Sequence, residues 1–174
     1  MVAKNVTEAR VRAELAESNI EITDMFSTPA PFNILLWRVM AKTPDDHYYE
    51  VITGFLDDKP GERIRLPLNS KPAHALTDNP MLDGLRWFSG DWLRYDEIDN
   101  QLVATDLRMG LGTGYYSFRF KVAQRDPVTG QWRTTPPERW RSERGVDALG
   151  NVLTRIIHQS PPLPLASWET RMTR

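Results

Sequence analysis

WLRYDEIDNQLVATDLRM, residues 92–109, is the stretch that decides the fold class. Two strand-like runs, 92–98 and 101–109, are joined by Asp99 and Asn100. Both of these residues tolerate the positive φ that a two-residue hairpin turn requires. The stretch therefore predicts a tight antiparallel hairpin.

A third strand follows this hairpin, because aromatic and polar side chains alternate along residues 115–122 with the period of two that is typical of strands. Upstream, residues 35–42 alternate in the same way, Pro44, Asp45 and Asp46 form a turn, and residues 47–55 return as the second strand of another hairpin. Residues 28–31 hold two prolines, which favour an extended lead-in to the first of these strands. A short edge strand is predicted over residues 63–68.

Three segments have helical signals. Asn5 and Glu8 resemble a capping box before a predicted helix over residues 6–18, and Asn19 suits its exit. Asn79 followed by Pro80 is a good start for a short helix that ends at Ser89 and Gly90. Apolar residues at helical spacing predict a C-terminal helix over residues 146–158, and prolines then lead into a stiff tail over 160–174.

Together these elements predict a single α+β domain spanning residues 1–174. Its centre is an antiparallel sheet of about five strands within residues 34–134, made of one hairpin and one three-stranded meander. The N-terminal helix, the short middle helix and the C-terminal helix pack against this sheet. We expect no internal repeat and no domain boundary.

Composition excludes several classes of protein. The chain has 174 residues, of which 40% are hydrophobic and 26% charged, and this profile is typical of a globular core and not of disorder. Its net charge is -1, so no nucleic-acid partner is expected. With no cysteine it has no disulfide and no thiolate nucleophile. No apolar run approaches the ~20 residues that cross a bilayer, which predicts a soluble chain.

Basic residues are concentrated between Arg125 and Arg155, with Trp132 and Trp140 among them. A solvated surface is one interpretation of this segment. The other is a patch that faces anionic lipid or phosphate.

No motif in the chain identifies a reaction. His47, His74 and His158 lie in different predicted elements, so no metal site is predicted, and no cofactor is evident. Asp106 and Arg108 are expected on one face of a strand, where they form either a structural ion pair or an anion-binding or acid–base pair.

Five short motifs, taken in order, suggest a family: P-x-P-F-N-x-L-L-W-R at 29–38, Tyr-Tyr at 48–49, Trp-Phe at 87–88, T-D-L-R-M-G at 105–110 and Y-x-F-R-F at 116–120. They resemble the C-terminal soluble part of a bacterial inner-membrane family, the predicted membrane-bound metal-dependent hydrolases. The resemblance covers residues 11–122. In that family transmembrane helices precede this part, and they carry the histidine motif behind the hydrolase name. A divalent metal is implied only by this resemblance and is assigned to no residue here.

The resemblance implies a noncatalytic accessory or binding domain that faces water in an inner-membrane protein. For the soluble chain itself we expect a cytoplasmic location. Its expected partners are its own transmembrane domain, the membrane surface or a small anionic ligand. The polar residues within the matching motifs are the candidate binding residues: Asn33, Arg38, Asp106, Arg108 and Arg119. One alternative is a hydrolase domain that forms or completes a carboxylate-based metal site. Another is a scaffold whose segment 132–144 lies on membrane lipid.

Overall fold

The computed structural model describes residues 2–31, 33–77, 79–141 and 146–174, with only the main chain at 146 and 147. Within these residues the chain is an α+β protein with two four-stranded antiparallel sheets. It forms two compact units. The first unit comprises Met1–Pro67, Leu111–Gly114 and Gly145–Trp168, and the second comprises Leu68–Gly110, Tyr115–Arg144 and Glu169–Arg174.

The first unit is built on a sheet whose strands follow chain order, β1-β2-β3-β4. Its elements are α1 (Val2–Glu17), β1 (Asp24–Pro29), β2 (Leu36–Thr43), β3 (His47–Gly54), β4 (Glu62–Pro67), α4 (Val146–Arg155) and a 3-10 turn at Leu165–Ser167. Asn19, with φ of 56°, ends the first helix as predicted.

Helices or loops cover both faces of this sheet. Val11 and Leu15 of α1 pack with Val39 on one face. Val152 and Trp168 belong to the cluster on the other face, together with Leu36, Ile52, Leu163 and Leu165. Because successive strand residues point to opposite faces, this double cover explains why β2 is buried along nearly its whole length.

The second unit repeats the meander with strand order β5-β6-β7-β8. Its elements are α2 (Lys71–His74), α3 (Pro80–Ser89), β5 (Leu93–Ile98), β6 (Gln101–Asp106), a 3-10 turn at Leu107–Met109, β7 (Arg119–Arg125) and β8 (Trp132–Arg139). A last helix, α5 (Trp168–Met172), begins at the final residue of the first unit.

The hairpin turn and the helix start predicted in the second unit are both present in the structure. Asp99 and Asn100 connect β5 to β6 with φ of 49° and 61°, as the hairpin prediction requires. The side chain of Asn79 accepts hydrogen bonds of 3.2 Å from the main-chain N–H groups of Met81 and Leu82, and therefore caps α3. Leu82 then packs with strand residues that include Leu93, Tyr95 and Ala104.

The prediction of a single five-stranded sheet is wrong in detail. Two strands were missed: β1, which ends inside the proline-containing lead-in, and β8, which contains Pro136 and Pro137. Both are edge strands, and a register shift between Lys121 and Ala123 leaves Pro136 and Pro137 outside the residue pairs of β7 and β8. Whether residues 1–174 form one domain stays a prediction.

Several boundaries also differ. The first helix starts at Val2, so Asn5 lies inside it and does not cap it. β7 starts at Arg119, because Gly112 and Gly114 adopt positive φ and only Tyr116 bridges to Gly110 before it. The tail over 160–174 contains α5. In the parts of the chain that the structure describes, no helix is long and apolar enough to cross a membrane.

Candidate functional site

A row of polar side chains crosses the middle of the second sheet. Arg94 of β5 pairs in register with Thr105 of β6, which pairs in turn with Arg119 of β7. Residues paired in this way point to the same face of a sheet. All three are buried, with exposed fractions of 1%, 0% and 2%. Buried polar groups of this kind need internal partners.

Arg94 finds its partner two residues along its own strand. Its Nε lies 3.0 Å and 3.1 Å from the two carboxylate oxygens of Asp96, and its Nη2 lies 2.8 Å from Asp96 Oδ1. Both side chains are almost fully buried. The guanidinium and the carboxylate thus balance each other's charge at a position from which water is excluded.

Arg119 connects β7 to the C-terminal residues of the second unit. Its Nε donates to Thr105 Oγ1 at 3.2 Å, its Nη1 donates to the main-chain oxygen of Arg174 at 2.9 Å, and its Nη2 donates to the main-chain oxygen of Met172. Burial lowers the pKa of Arg119, and Arg94 lowers it further, while Asp96 opposes the shift. Arginine remains charged in proteins, so these oxygens stabilise a buried cation.

Asp106 and Arg108 form the ion pair that their spacing suggested, although Arg108 lies in the 3-10 turn and not in a strand. Asp106 Oδ1 accepts from the N–H and Nε of Arg108 at 2.9 Å and 3.1 Å, and Oδ2 accepts from Nη2 at 2.9 Å. Arg108 also donates to the main-chain oxygen of Phe88 at 2.7 Å and lies 5.3 Å from the centre of its ring. The pair therefore fastens the end of β6 to the end of α3.

The other two candidate residues lie in the first unit and have separate roles. Asn33 Oδ1 accepts from the N–H groups of Leu35 and Leu36 at 2.9 Å and 2.7 Å, which folds the turn before β2. Arg38 forms a buried ion pair with Glu50 across β2 and β3. The structure thus brings Asp106 and Arg108 together and places Arg119 beside Thr105, next to Asp106. A single site shared by all five residues stays a prediction.

A second buried cation anchors α4 in the first unit. Arg155 donates to both oxygens of Asp57 at 2.6 Å and to the two oxygens of Glu62 at 2.7 Å and 2.8 Å. Burial disfavours its charged form, but the hydrogen bonds and charges of Asp57 and Glu62 outweigh burial and raise its pKa. This cluster joins α4 to the loop that holds Asp57 and to the start of β4.

The second unit also carries an open cleft of about 270 Å³, which we call the β7–β8 cleft. It is lined by Gln101, Lys121, Glu138, Arg139, Trp140 and Arg141. Lys121 of β7 faces Glu138 of β8 in register, and its Nζ lies 3.0 Å from Glu138 Oε2. The lining therefore holds three cations and one carboxylate.

Trp140 is the aromatic wall of the β7–β8 cleft. Its indole Nε1 donates to the main-chain oxygen of Arg174 at 3.4 Å, so one edge of the ring is anchored while the side chain stays half-buried. The basic segment between Arg125 and Arg155 contains Arg139, Trp140 and Arg141. Sequence reasoning missed Lys121 and Gln101, whose only signal was their polar position in alternating strands.

Metal ligands are not gathered in the described parts of the chain, where no group of three or more histidine and acidic side chains is arranged to hold an ion. His47 and His158 belong to the first unit and His74 to the second. Ser142, Glu143 and Arg144 of the basic segment lie outside the described residues.

Comparison with known proteins gave no match: no family model, curated protein or solved structure matches the chain. The function therefore has to be inferred from the residues and their geometry.

Proposed function

We propose that this chain is a noncatalytic accessory or binding domain that faces water within a membrane protein of the family it resembles, the predicted membrane-bound metal-dependent hydrolases. The observation that carries the binding role is the β7–β8 cleft. Its arginines, Arg139 and Arg141, are exposed. The buried arginines Arg38, Arg94 and Arg155 form ion pairs inside the fold. In this proposal the exposed arginines of the cleft bind the ligand, and the buried arginines stabilise the fold.

Charge pairing supports a noncatalytic role for the buried groups. A general acid or base works from a position within reach of a substrate, with a pKa tuned for proton transfer. Asp106 is 1% exposed, and both of its oxygens accept hydrogen bonds from Arg108. The rival function, a hydrolase domain with a carboxylate-held metal, requires Asp106 to exchange this arginine for an ion.

An exposed apolar cluster on α3 supports a membrane-associated parent. Trp87 is 86% exposed, Met81 54% and Phe88 50%. Exposed tryptophan and phenylalanine are typical of surfaces that meet a protein partner or the interfacial region of a bilayer. In the proposal this surface contacts the transmembrane domain of the same protein or the cytoplasmic face of the inner membrane.

Sequencing upstream of the coding region in the native gene tests whether this domain belongs to a membrane protein. We expect several hydrophobic segments of ~20 residues upstream in the native gene. The native product should then sediment with the membrane fraction and resist extraction by high salt, which removes proteins held by charge alone. A native product that lacks such segments and stays in the supernatant would refute the membrane parent.

A further inference from the structure

We propose that the β7–β8 cleft binds a phosphate group that is attached to an aromatic ring. The inference deepens the binding role proposed above and rests on it, but it is independent of the membrane parent. The chemistry is that of an aryl monophosphate in solution. A phosphatidic acid headgroup carries a phosphate monoester without a ring, and therefore tests whether the ring is needed.

Charge selects an anion at this site. The lining contains the cations Lys121, Arg139 and Arg141 and a single carboxylate, Glu138, so it has a net charge of +2 if each group carries its ordinary charge. Glu138 is 74% exposed, and water weakens its effect on a ligand. A dianionic phosphate would balance the remaining charge.

The cations of the cleft are of the kinds that bind phosphate. Lys121 is only 19% exposed and is held against Glu138, which presents its ammonium as a fixed point charge. Among the residues that the structure describes, Arg139 and Arg141 form no ion pair, and their planar forks match the oxygens of a phosphate.

The indole of Trp140 is the surface on which the aromatic ring of the ligand would stack. An anchored indole offers a flat surface on which another ring can stack. The cleft volume of about 270 Å³ lies just below the ~300 Å³ at which small-molecule sites usually begin. It therefore suits one ring with one phosphate and is too small for a dinucleotide. A nucleic-acid polymer does not fit the net charge of -1.

Titration calorimetry on the whole chain tests this inference, with phenyl phosphate, inorganic phosphate and phenol as probes. We expect phenyl phosphate to bind at least about tenfold more tightly than either part alone, because only it uses both the cations and the indole. Lys121→Gln and Arg139→Gln should each weaken its binding by about tenfold or more, the usual effect of removing a charged hydrogen-bond donor.

Arg133→Gln is the matched control. Arg133 lies on β8 like Arg139, but it is 73% exposed and pairs with Asp126 outside the cleft. Its loss should change phenyl phosphate binding by less than about twofold. Circular dichroism melts of all three variants establish that they are folded.

Vesicles of phosphatidylcholine, with and without phosphatidic acid, distinguish the two sources of phosphate. Binding of phenyl phosphate that depends on Lys121 and Arg139 supports the inference. Vesicle binding with the same dependence would show that a lipid phosphate without a ring suffices, and would contradict the role given to Trp140. If neither probe binds, or if both folded variants bind as well as the wild type, the inference is wrong. That result would leave the membrane parent untouched, since the upstream reading frame decides it separately.

Discussion

Arg155 on α4 donates two hydrogen bonds of 2.6 Å to the carboxylate of Asp57, a residue 98 positions earlier in the chain. Glu62 at the start of β4 accepts from the same guanidinium. One cation thus joins the C-terminal helix, a loop and an edge strand of the first unit. The side chains of Arg155 and Asp57 are almost fully buried and that of Glu62 is 14% exposed. Removing the cation from such a cluster is strongly destabilising, because it leaves buried carboxylates without a partner.

Replacing Arg155 by glutamine should therefore destabilise the chain severely. The change leaves two buried carboxylates without their cation, and we expect the free energy of unfolding in urea to fall by about 3 kcal/mol or more. Arg65→Gln is the control, since Arg65 is 42% exposed and its partner Asp45 is 57% exposed. If the two variants unfold at the same urea concentration, the Arg155 cluster does not stabilise the first unit.

The pair of Arg94 and Asp96 should behave differently when one or both partners change. Arg94→Met alone leaves a buried carboxylate and should cost about 3 kcal/mol, whereas the double change with Asp96→Leu should recover most of that loss. Thermal unfolding of the two single variants and the double variant measures the coupling. Additive losses would show that the pair is not a coupled buried unit.

Asp126 should make stability depend on acid pH. Hydrogen bonds from the N–H groups of Thr129 and Val128 lower its pKa, as does the charge of Arg133. Because the folded pKa lies below the unfolded value of ~3.9, the stabilisation is fully present above that value and is lost as pH falls through the folded pKa.

Asp126→Asn tests this dependence, because it keeps an oxygen for the turn and removes the titration. The melting temperature of the wild type should exceed that of the variant above about pH 5, and the difference should shrink towards pH 2. A difference that stays constant over this range would contradict the assignment.

Gly114 should tolerate no side chain. Its φ is +74°, and a Cβ there would lie 2.6 Å from Cγ of Trp168. Gly130 has a similar φ of +68° with open space around it, so Gly130→Ala carries only the backbone cost of ~1 kcal/mol. Gly114→Ala should lower the unfolding free energy by clearly more than Gly130→Ala. Equal losses in chemical denaturation would mean that Trp168 moves aside freely.

Local chemistry explains which elements the sequence could predict. The turn at Asp99 and Asn100, the cap at Asn79 and the helix exit at Asn19 depend on a residue and its immediate neighbours, and all three are present in the structure. β1 and β8 could not be predicted in this way, because their prolines argue against a strand unless its position at the edge is known.

The candidate site was only partly accessible to sequence reasoning. Asp106 and Arg108 are two residues apart, so their pairing could be anticipated. The row formed by Arg94, Thr105 and Arg119 depends on register between three strands, and β7 was placed four residues too early. In the sequence, Lys121 looks like any solvated strand residue. Only the structure shows that it lies beside Glu138 and lines a cleft with Trp140.

We propose that the buried carboxylates stabilise the fold and do not hold a catalytic metal. Metal content after incubation of the purified chain with Mn²⁺ or Zn²⁺ and gel filtration tests it most directly. We predict far less than one equivalent of metal, unchanged in Asp106→Asn. One equivalent of tightly bound metal in the wild type that disappears in Asp106→Asn would contradict the claim and favour the hydrolase.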